Sequence, residues 1–557
     1  MQKRWIVRPS KPIEILQNTL GISPLLSLIL ANRGVTSPDE ADHFLHGSLL
    51  DLESPWKIKN MDRAVNRIKQ AIEDKEKILI WGDYDVDGTT SAATLCLAIR
   101  RMKGIVDTYI PHRIHDGYGL NLSGLQKAAE DQITLLITVD NGMTALEEIQ
   151  FAASKGIDVL VVDHHEPQKE RWPYEAIIIN PLQEGCLSSF KGMTAAGLAF
   201  KLAYALLGES AFDYLELAAV GTVADMGPLI GENRILVRNG LVRMNQNPRP
   251  GFKALLTAAG MGSKKIDAGH LGFVVGPRIN AAGRMSSASA ALQLLMTQDF
   301  SEASELAAQL EKENSERQKV EQETVRQAIQ KVNGQVNFHQ QRVIVVEDER
   351  WHPGVIGIVA ARLVDRFYRP SIVIAMKEGK GKGSGRSIKN FHLTEALQQC
   401  KLSLEKFGGH RQAAGLTINR EKLEIFKEEF NRVAHEKLVA EDLVPMIEMD
   451  AEISLSQLSQ KFFEELELVA PYGYGNPRPL FLSKGLQIKS QPEVIGNNTL
   501  RLYVTDGKQI CQAIGFSKGD WFGHLKGVPQ IDLAYTPTLN EWQGETFAQL
   551  RIEDIRV

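Results

Sequence analysis

Asp163-His164-His165 follows Val159-Leu160-Val161-Val162, a short apolar run of the kind that forms a buried parallel strand. Two neighbouring imidazoles and a carboxylate at a strand's C-terminal end are poor packing groups and good metal ligands. A second polar group, Asp83-Tyr84-Asp85-Val86-Asp87-Gly88, follows the run Ile78-Leu79-Ile80-Trp81. Asp140 closes a third run, Leu135-Leu136-Ile137-Thr138-Val139. In open α/β sheets, ligands bind at the C-terminal ends of the strands. Three strands would therefore deliver acids and imidazoles to one edge, which is the form of a catalytic metal centre.

Carboxylates mixed with imidazoles suit Mn2+ or Mg2+ better than a closed structural zinc site, which favours thiolates and histidines. Asp83, Asp85 and Asp87 have period-two spacing, so an extended segment would point all three the same way, with Gly88 turning into a helix from about Thr89. Any one of these acids could instead cap a helix. Three unneutralised carboxylates within five residues are unfavourable without a cation, because like charges raise one another's pKa. Adjacent histidines alone are also compatible with an ordinary polar loop. Asp225 closes the helix-like run Leu217–Ala224 and reads equally as a helix-end residue or a ligand.

The elements that must position these groups alternate between residues 61 and 181. Helical stretches at 62–76, 89–103 and 143–156 separate β-rich runs at 78–81, 106–110, 134–139, 159–162 and 176–179, which predicts a mostly parallel α/β sheet. Residues 1–60 read as a preface of short helices, and 192–300 as mainly helical. The dense, alternating charge of 301–333 predicts a long exposed helix joining two lobes. A second α/β lobe follows, and short β-rich runs after 446 suggest a small OB-like β-barrel. The expected segments are 1–300, 301–333, 334–445 and 446–557. A length of 557 residues fits several domains, since one core rarely grows beyond about 250–300 residues.

The composition, 43% hydrophobic and 24% charged, is that of an ordinary globular protein. A net charge of −4 announces no polyanion partner, so any nucleic-acid site must be a local patch. Cys96, Cys186, Cys400 and Cys511 form no CxxC pair, which points away from disulfides and towards a reducing, cytoplasmic setting. No apolar stretch is long enough to span a bilayer, and no signal-peptide pattern is present, so no membrane association is expected.

One basic patch stands out. Lys377, Lys380, Lys382, Arg386 and Lys389 alternate with Gly379, Gly381, Gly383 and Gly385, opposed only by Glu378. Glycines let backbone N–H groups approach a phosphate while cations neutralise it. A solvated charged loop is the ordinary alternative. Trp351 and His352 could stack on a base or simply pack. Phe462, Tyr472, Tyr474 and Tyr503 offer stacking surfaces in the β-rich end, though some must fill its core.

The order DYDVDG (83–88), VDNG (139–142), VDHHE (162–166) and Asp225 resembles the DHH phosphoesterase superfamily. FGGHRQAAG (407–415) resembles its associated second domain, and GPRINAAGR (276–284) with WHPGVIGIVAARL (351–363) is similar to the RecJ family of single-strand-specific 5′→3′ exonucleases. The resemblance covers nearly the whole chain. It implies a DHH catalytic domain over 1–300, a DHH-associated substrate-binding domain over 334–445, and a nucleic-acid-binding barrel over 446–557. It implies two ions, Mn2+ or Mg2+, held by Asp85, Asp87, Asp140, His164 and Asp225, with Asp140 bridging. Asp83 would add an acid, and His165 would face the scissile phosphate. Ser384, Arg386 and His410 would recognise a 5′-phosphate, while Arg278, Asn280 and Arg284, with Arg113 as a further candidate, would contact the strand. The implied partners are single-stranded DNA, a single-strand-binding protein and a helicase, and the implied setting is DNA repair and recombination. Two alternatives from other classes remain: an oligonucleotide or nucleotide phosphatase, against which the long second half argues, and a non-catalytic single-strand-binding protein, against which the acidic set argues.

Overall fold

The apolar runs form five parallel strands, in spatial order Ile105–Tyr109, Lys77–Gly82, Ile133–Val139, Asp158–Val162 and Ile177–Ile179. The computed structural model describes residues 3–112, 116–117, 119–285, 287–542 and 545–557. Within this sheet the second strand in chain order lies outside the first, and the third lies on the first strand's other side. The strand order therefore reverses between Lys77–Gly82 and Ile133–Val139, which makes a crevice at their C-terminal ends.

The helix after Lys77–Gly82 spans Val86–Arg101, three residues earlier than the sequence suggests. Asp85 is its N-cap and accepts from Gly88 N–H at 3.1 Å. The expectation of an extended Asp83–Asp87 segment is thus corrected: a side-chain cap competes with extension and wins. A further helix, Leu122–Glu130, was not among those expected; it buries only Leu125 and Ala128, too narrow a stripe to show periodicity. The mainly helical stretch contributes Ala195–Leu207, Leu215–Ala224, Gly231–Gln246, Pro250–Ala258 and Gly276–Met285.

The chain divides into two units. One contains Trp5–Asn280, Ala288–Ala307 and Glu448–Val557; the other contains Ala281–Ser287 and Ala308–Ile447 with the first residues of the chain. The long helix Phe300–Gln335 runs from the first into the second. It is less exposed than its charge suggests: Leu310, Asn314, Arg317, Glu321 and Val332 are buried along one face, and Arg317 pairs with Glu321 and with Asn314 Oδ1.

In the second unit, Lys380–Arg386 is a strand rather than a loop, paired with Ser371–Lys377 on one side and Ala413–Asn419 on the other. Glu378 and Gly379, both at positive φ, make the two-residue turn. The glycines do not cradle a phosphate. A Cβ on Gly381 would stand 2.6 Å from Ile374 Cγ2, one on Gly383 2.7 Å from Leu416 Cδ1, and one on Gly385 2.8 Å from Leu393 Cδ2. Their face is filled by neighbouring apolar side chains, and period two sends Lys380, Lys382, Ser384 and Arg386 to the other. Trp351 packs: it is buried in a core with Ile356, Val359 and Val373, and its Nε1 donates to Gln327 Oε1 at 3.0 Å.

The C-terminal sheet is mixed. Its strands Phe481–Ile488, Gln530–Trp542, Glu545–Arg556, Ile510–Gly515 and Thr499–Thr505 pair in that order, and Phe481–Ile488 pairs back to Thr499–Thr505, closing a small barrel. Phe462 lies in its core and Tyr472 is largely buried with its hydroxyl on Leu466 O, whereas Tyr474 and Tyr503 are exposed. The same core takes in Leu26, Ile29 and Phe44 from the N-terminal helices, so the two chain ends fold together. Arg234, 3% exposed, fastens this arrangement. Its guanidinium donates to the carbonyls of Phe44, Leu468, Val469 and Ala470, each at 2.8 Å, and lies over the Phe44 ring. Burial brings its pKa down to about 9.

Replacing Arg234 by Met keeps the bulk and strands those acceptors, at about 1–3 kcal/mol for each buried group left without a partner. The thermal midpoint of Arg234→Met is expected to fall by about 5 °C or more. An unchanged midpoint in a calorimetric scan would remove Arg234 from this role.

Candidate metal centre

Each acidic or imidazole group sits where an element ends. Asp83 follows Lys77–Gly82, Asp140 follows Ile133–Val139, and His164 and His165 follow Asp158–Val162. Asp85 and Asp87 open the helix Val86–Arg101, and Asp225 is the C-cap of Leu215–Ala224. The switch point of the sheet gathers the strand ends, and the two helices bring the remaining acids.

Close packing makes this possible. At Gly88 a Cβ would come within 2.5 Å of the Asp83 backbone; at Gly221 it would stand 2.4 Å from Thr90 Oγ1 and 2.9 Å from Asp87 Oδ1. Only glycine at 221 lets the helix carrying Asp225 approach the helix carrying Asp87. Asp140 has φ 62°, in the left-handed region that Asp tolerates better than most residues, and its N–H donates to Val162 O at 3.0 Å.

His164 Nε2 is the meeting point. It lies 3.2 Å from Asp140 Oδ1, 3.7 Å from Asp225 Oδ2 and 3.9 Å from Asp87 Oδ2. Three sets of potential ligand atoms each fall within 4.8 Å of one another: Asp87, His164 and Asp225; Asp83, Asp85 and Asp140; and Asp140, Asp163, His164 and His165. A hard divalent cation fits oxygen-rich sets of this kind.

The electrostatics agree. Burial, then the charges of Asp85, Asp87, Asp83 and Asp225, hold the Asp140 carboxyl well above the usual carboxylate range. Burial, Asp225 and Asp85 do the same to Asp87, although the N–H groups of Ala195 and Ala196 donate to it at 2.9 and 2.8 Å and favour the anion. Those amides begin the helix Ala195–Leu207, whose N-terminal end attracts negative charge. Burial and Asp85 push Asp225 up to about 7 against the opposing pull of His165. Such mutual destabilisation of anions is relieved by a cation.

Asp163 serves differently from its neighbours. One of its oxygens accepts from His165 Nδ1 at 2.7 Å and the other from Met143 N–H at 3.0 Å. Burial opposes charge on both partners, yet the pair's hydrogen bond and attraction prevail, raising His165 to about 9 and lowering Asp163. Asn180 Nδ2 adds a bond to His165 O at 2.9 Å. The sequence marked Asp163 as part of the motif without assigning this orienting role. Nothing in the sequence signalled the Ala195 and Ala196 amides or Asn180, since those contacts come from distant chain.

Among the residues expected to touch substrate, Arg278 and Asn280 lie on Gly276–Met285. That helix starts against both acid-bearing helices: a Cβ at Gly276 would be 3.4 Å from Ala224 Cβ and 4.0 Å from Val86 Cγ2. Arg278 Nη1 donates to Val274 O at 2.8 Å. In the other unit, Arg284 Nη1 donates to Gly354 O at 3.3 Å. Arg386 Nη1 lies 3.3 Å from Ser384 Oγ, and a Cβ on Gly357 would be 3.0 Å from that hydroxyl and 3.4 Å from Arg386 Nη2. The helix Ile356–Phe367 therefore begins directly against this pair. His410 occupies the turn between Lys406–Gly409 and Ala413–Asn419, and Ala413 is the register partner of Arg386. Arg113 lies outside the described residues.

Three family models match the chain: the DHH family, N-terminal domain over residues 77–222, the DHHA1 domain over 340–436, and the RecJ OB domain over 449–554. The single-stranded-DNA-specific exonuclease RecJ of Bacillus subtilis is 38% identical over 559 residues, spanning 100% of this chain and 71% of that protein. The Escherichia coli exonuclease of the same name is 34% identical over 96% of both chains. The crystal structure of RecJ from Thermus thermophilus in complex with Mn2+ matches with a TM-score of 0.85 at 30% identity, over 100% of this chain and 79% of that one. With these likenesses running the length of both units, the chain belongs to the RecJ family of the DHH superfamily.

Proposed function

We propose that the chain, a metal-dependent nuclease of single-stranded DNA, removes nucleotides from the 5′ end and does so with two divalent cations, Mn2+ or Mg2+. The observation that carries this is the pair of three-residue sets at one sheet edge. Asp83, Asp85 and Asp140 would hold one ion, and Asp87, His164 and Asp225 the other. Asp140 stands between the sets, within 3.2 Å of His164, which supports a bridging role. Divalent cations bound there supply water activation and charge neutralisation for an in-line displacement at phosphorus.

The chain's own residues then orient the substrate. Asp163 fixes the His165 ring through Nδ1, so Nε2 is the nitrogen that faces a phosphate oxygen. Arg278, Asn280 and Arg284 contact the strand. Ser384 and Arg386, on the strand Lys380–Arg386 beside the start of the helix Ile356–Phe367, with His410 in the adjacent turn, recognise the terminal phosphate; the guanidinium fork and the helix N-terminus both favour a dianion. The C-terminal barrel adds affinity through exposed Tyr503 and Tyr474.

A nuclease of this kind works where single strands are exposed, during DNA repair and recombination. A helicase that makes the strand and a single-strand-binding protein that holds it are the partners this activity calls for. No helix among the described residues is long and apolar enough to cross a membrane, and a DNA substrate puts the work in the cytoplasm.

Asp140→Asn tests the centre, since Asn also tolerates the left-handed backbone. Displacing a mere supporting group around a metal lowers affinity or activity roughly 10–100-fold, so loss of a ligand is expected to lower hydrolysis of labelled single strands by at least that much. Mn2+ binding should weaken and the thermal midpoint should hold. Near-normal turnover by the folded variant would sink the metal-centre assignment.

Arg386→Ala is expected to slow cleavage of 5′-phosphorylated strands more than that of 5′-hydroxyl strands. Initial rates on the two substrates give the ratio, and a wild-type ratio would show that Arg386 does not read the end.

Tyr503→Ala should weaken binding of long single strands by the equivalent of about 1–3 kcal/mol, the value of one stacked base, and leave cleavage of short strands unchanged. Unaltered affinity at matched salt would assign the barrel's outer face another purpose.

A further inference from the structure

A second polar cavity lies in the same unit as the metal centre, at the far ends of the helices that serve it. Its volume is about 810 Å3, within the range of about 300–1,000 Å3 for small-molecule sites. Arg101, the last residue of Val86–Arg101, and Glu216, at the start of Leu215–Ala224, both line it. The helix Val86–Arg101 is sixteen residues, about 24 Å at 1.5 Å each, with Arg101 at one end and Asp87 at the other.

The lining is cationic. Arg101, Arg243, Arg249, Lys253 and Lys264 face two acids, Asp213 and Glu216. Asp213 is shared, with Arg101 Nη1 at 2.8 Å and Arg243 Nη2 at 3.3 Å. Glu216 is fully buried, and burial raises its pKa to about 7 against the pull of the Arg249 backbone N–H and the charges of Arg249 and Arg243, which weakens it as a counter-ion. Arg249 Nη1 reaches only the Asp213 carbonyl at 3.4 Å, while its buried Nε and Nη2 have no hydrogen-bond partner among the described residues. Glu216 attracts this guanidinium but accepts only from the Arg249 backbone N–H, at 3.1 Å, so a largely buried cation has no carboxylate hydrogen bond and its charge is only partly compensated. An anion in the cavity would supply the missing counter-charge.

The rest of the wall says what the anion carries. Phe300 is half exposed, with Lys253 Nζ 5.3 Å from its ring centroid, and the Gln246 and Asn247 amides are exposed. An aromatic face and free amides beside a cationic end match a base and a phosphate.

We infer that this cavity binds a nucleoside monophosphate, with its phosphate among Arg101, Arg243 and Arg249 and its base towards Phe300. The depth of Arg249 favours a small ligand that enters over a strand that passes across the surface. The site is distinct from the terminal-phosphate pocket at Arg386, and the inference does not depend on that assignment.

Calorimetric titration of the full chain in chelator tests it, with deoxyadenosine 5′-monophosphate, deoxyadenosine and inorganic phosphate as probes. The monophosphate should bind, inorganic phosphate more weakly, and deoxyadenosine not at all. Arg101→Gln with Arg243→Gln should weaken the monophosphate at least tenfold, whereas Arg386→Ala should leave this binding in place. Lys253→Gln with Lys264→Gln, both exposed, should weaken it several-fold in a protein whose thermal midpoint is unchanged. Absence of monophosphate binding, or binding that disappears in Arg386→Ala and survives both pairs of pocket substitutions, would overturn the inference. So would preference for an acidic peptide over the monophosphate at equal concentration.

Discussion

Mutual repulsion among buried carboxylates is the constraint on which the rest of the structure depends. The charges of Asp85, Asp87, Asp83 and Asp225 destabilise the ionised Asp140, and Asp85 does the same to Asp87 and Asp225, at a desolvated edge. Left to itself a chain would separate them. Here each is tied to an element that has its own reason to end there: a strand terminus, a helix cap, a helix C-terminus. Asp87 shows the compensation most clearly, because two N-terminal amides of a neighbouring helix hold its carboxylate in place. Those bonds orient the group without neutralising it, so a net negative site is preserved for cations.

Topology explains why the edge exists, and small residues explain why the helices can reach it. The reversal of strand order next to Lys77–Gly82 opens a crevice above Gly82 and Val139. Helix Val86–Arg101 is buried along most of its length, with Thr90, Ala92, Ala93 and Thr94 leaving room for neighbours. Gly221 lets the helix Leu215–Ala224 lie against it closely enough for Asp225 to share His164 with Asp87 and Asp140. The site therefore depends on side chains that are absent as much as on those that are present.

Strand runs and motif acids were legible because each signal is local: an apolar run, then an acid. The five parallel strands could be read directly from 78–81, 106–110, 134–139, 159–162 and 176–179, and the motif acids from the ends of the first, third and fourth of these runs. Two kinds of information were not local. The direction of Asp85 and Asp87 depended on a side-chain cap, which spacing alone does not separate from extension. Gly381, Gly383 and Gly385 looked like a phosphate loop because their function is to make room for Ile374, Leu416 and Leu393, residues scattered through the chain. Trp351 and Phe462 turned out to be core residues for the same reason: what an aromatic ring packs against is settled by tertiary neighbours. Asp163 was visible, but its partnership with His165 and Met143 required the fold.

The C-terminal barrel looked from the sequence like an appended binding module. Its packing shows otherwise, since Phe462 and Phe481 share a core with Leu26, Ile29 and Phe44 from the other end of the chain. Arg234, on the helix Gly231–Gln246 that packs against the Asp225-bearing helix, donates to carbonyls from both ends of the chain. Deleting the barrel would expose that core and strand a buried guanidinium, so a truncated chain would report on stability before it reported on DNA binding. A barrel that shares a core with the N-terminal helices is held in a fixed relation to them, and if it binds the strand as proposed, single exposed side chains on its surface are the place to change affinity without disturbing the chemistry.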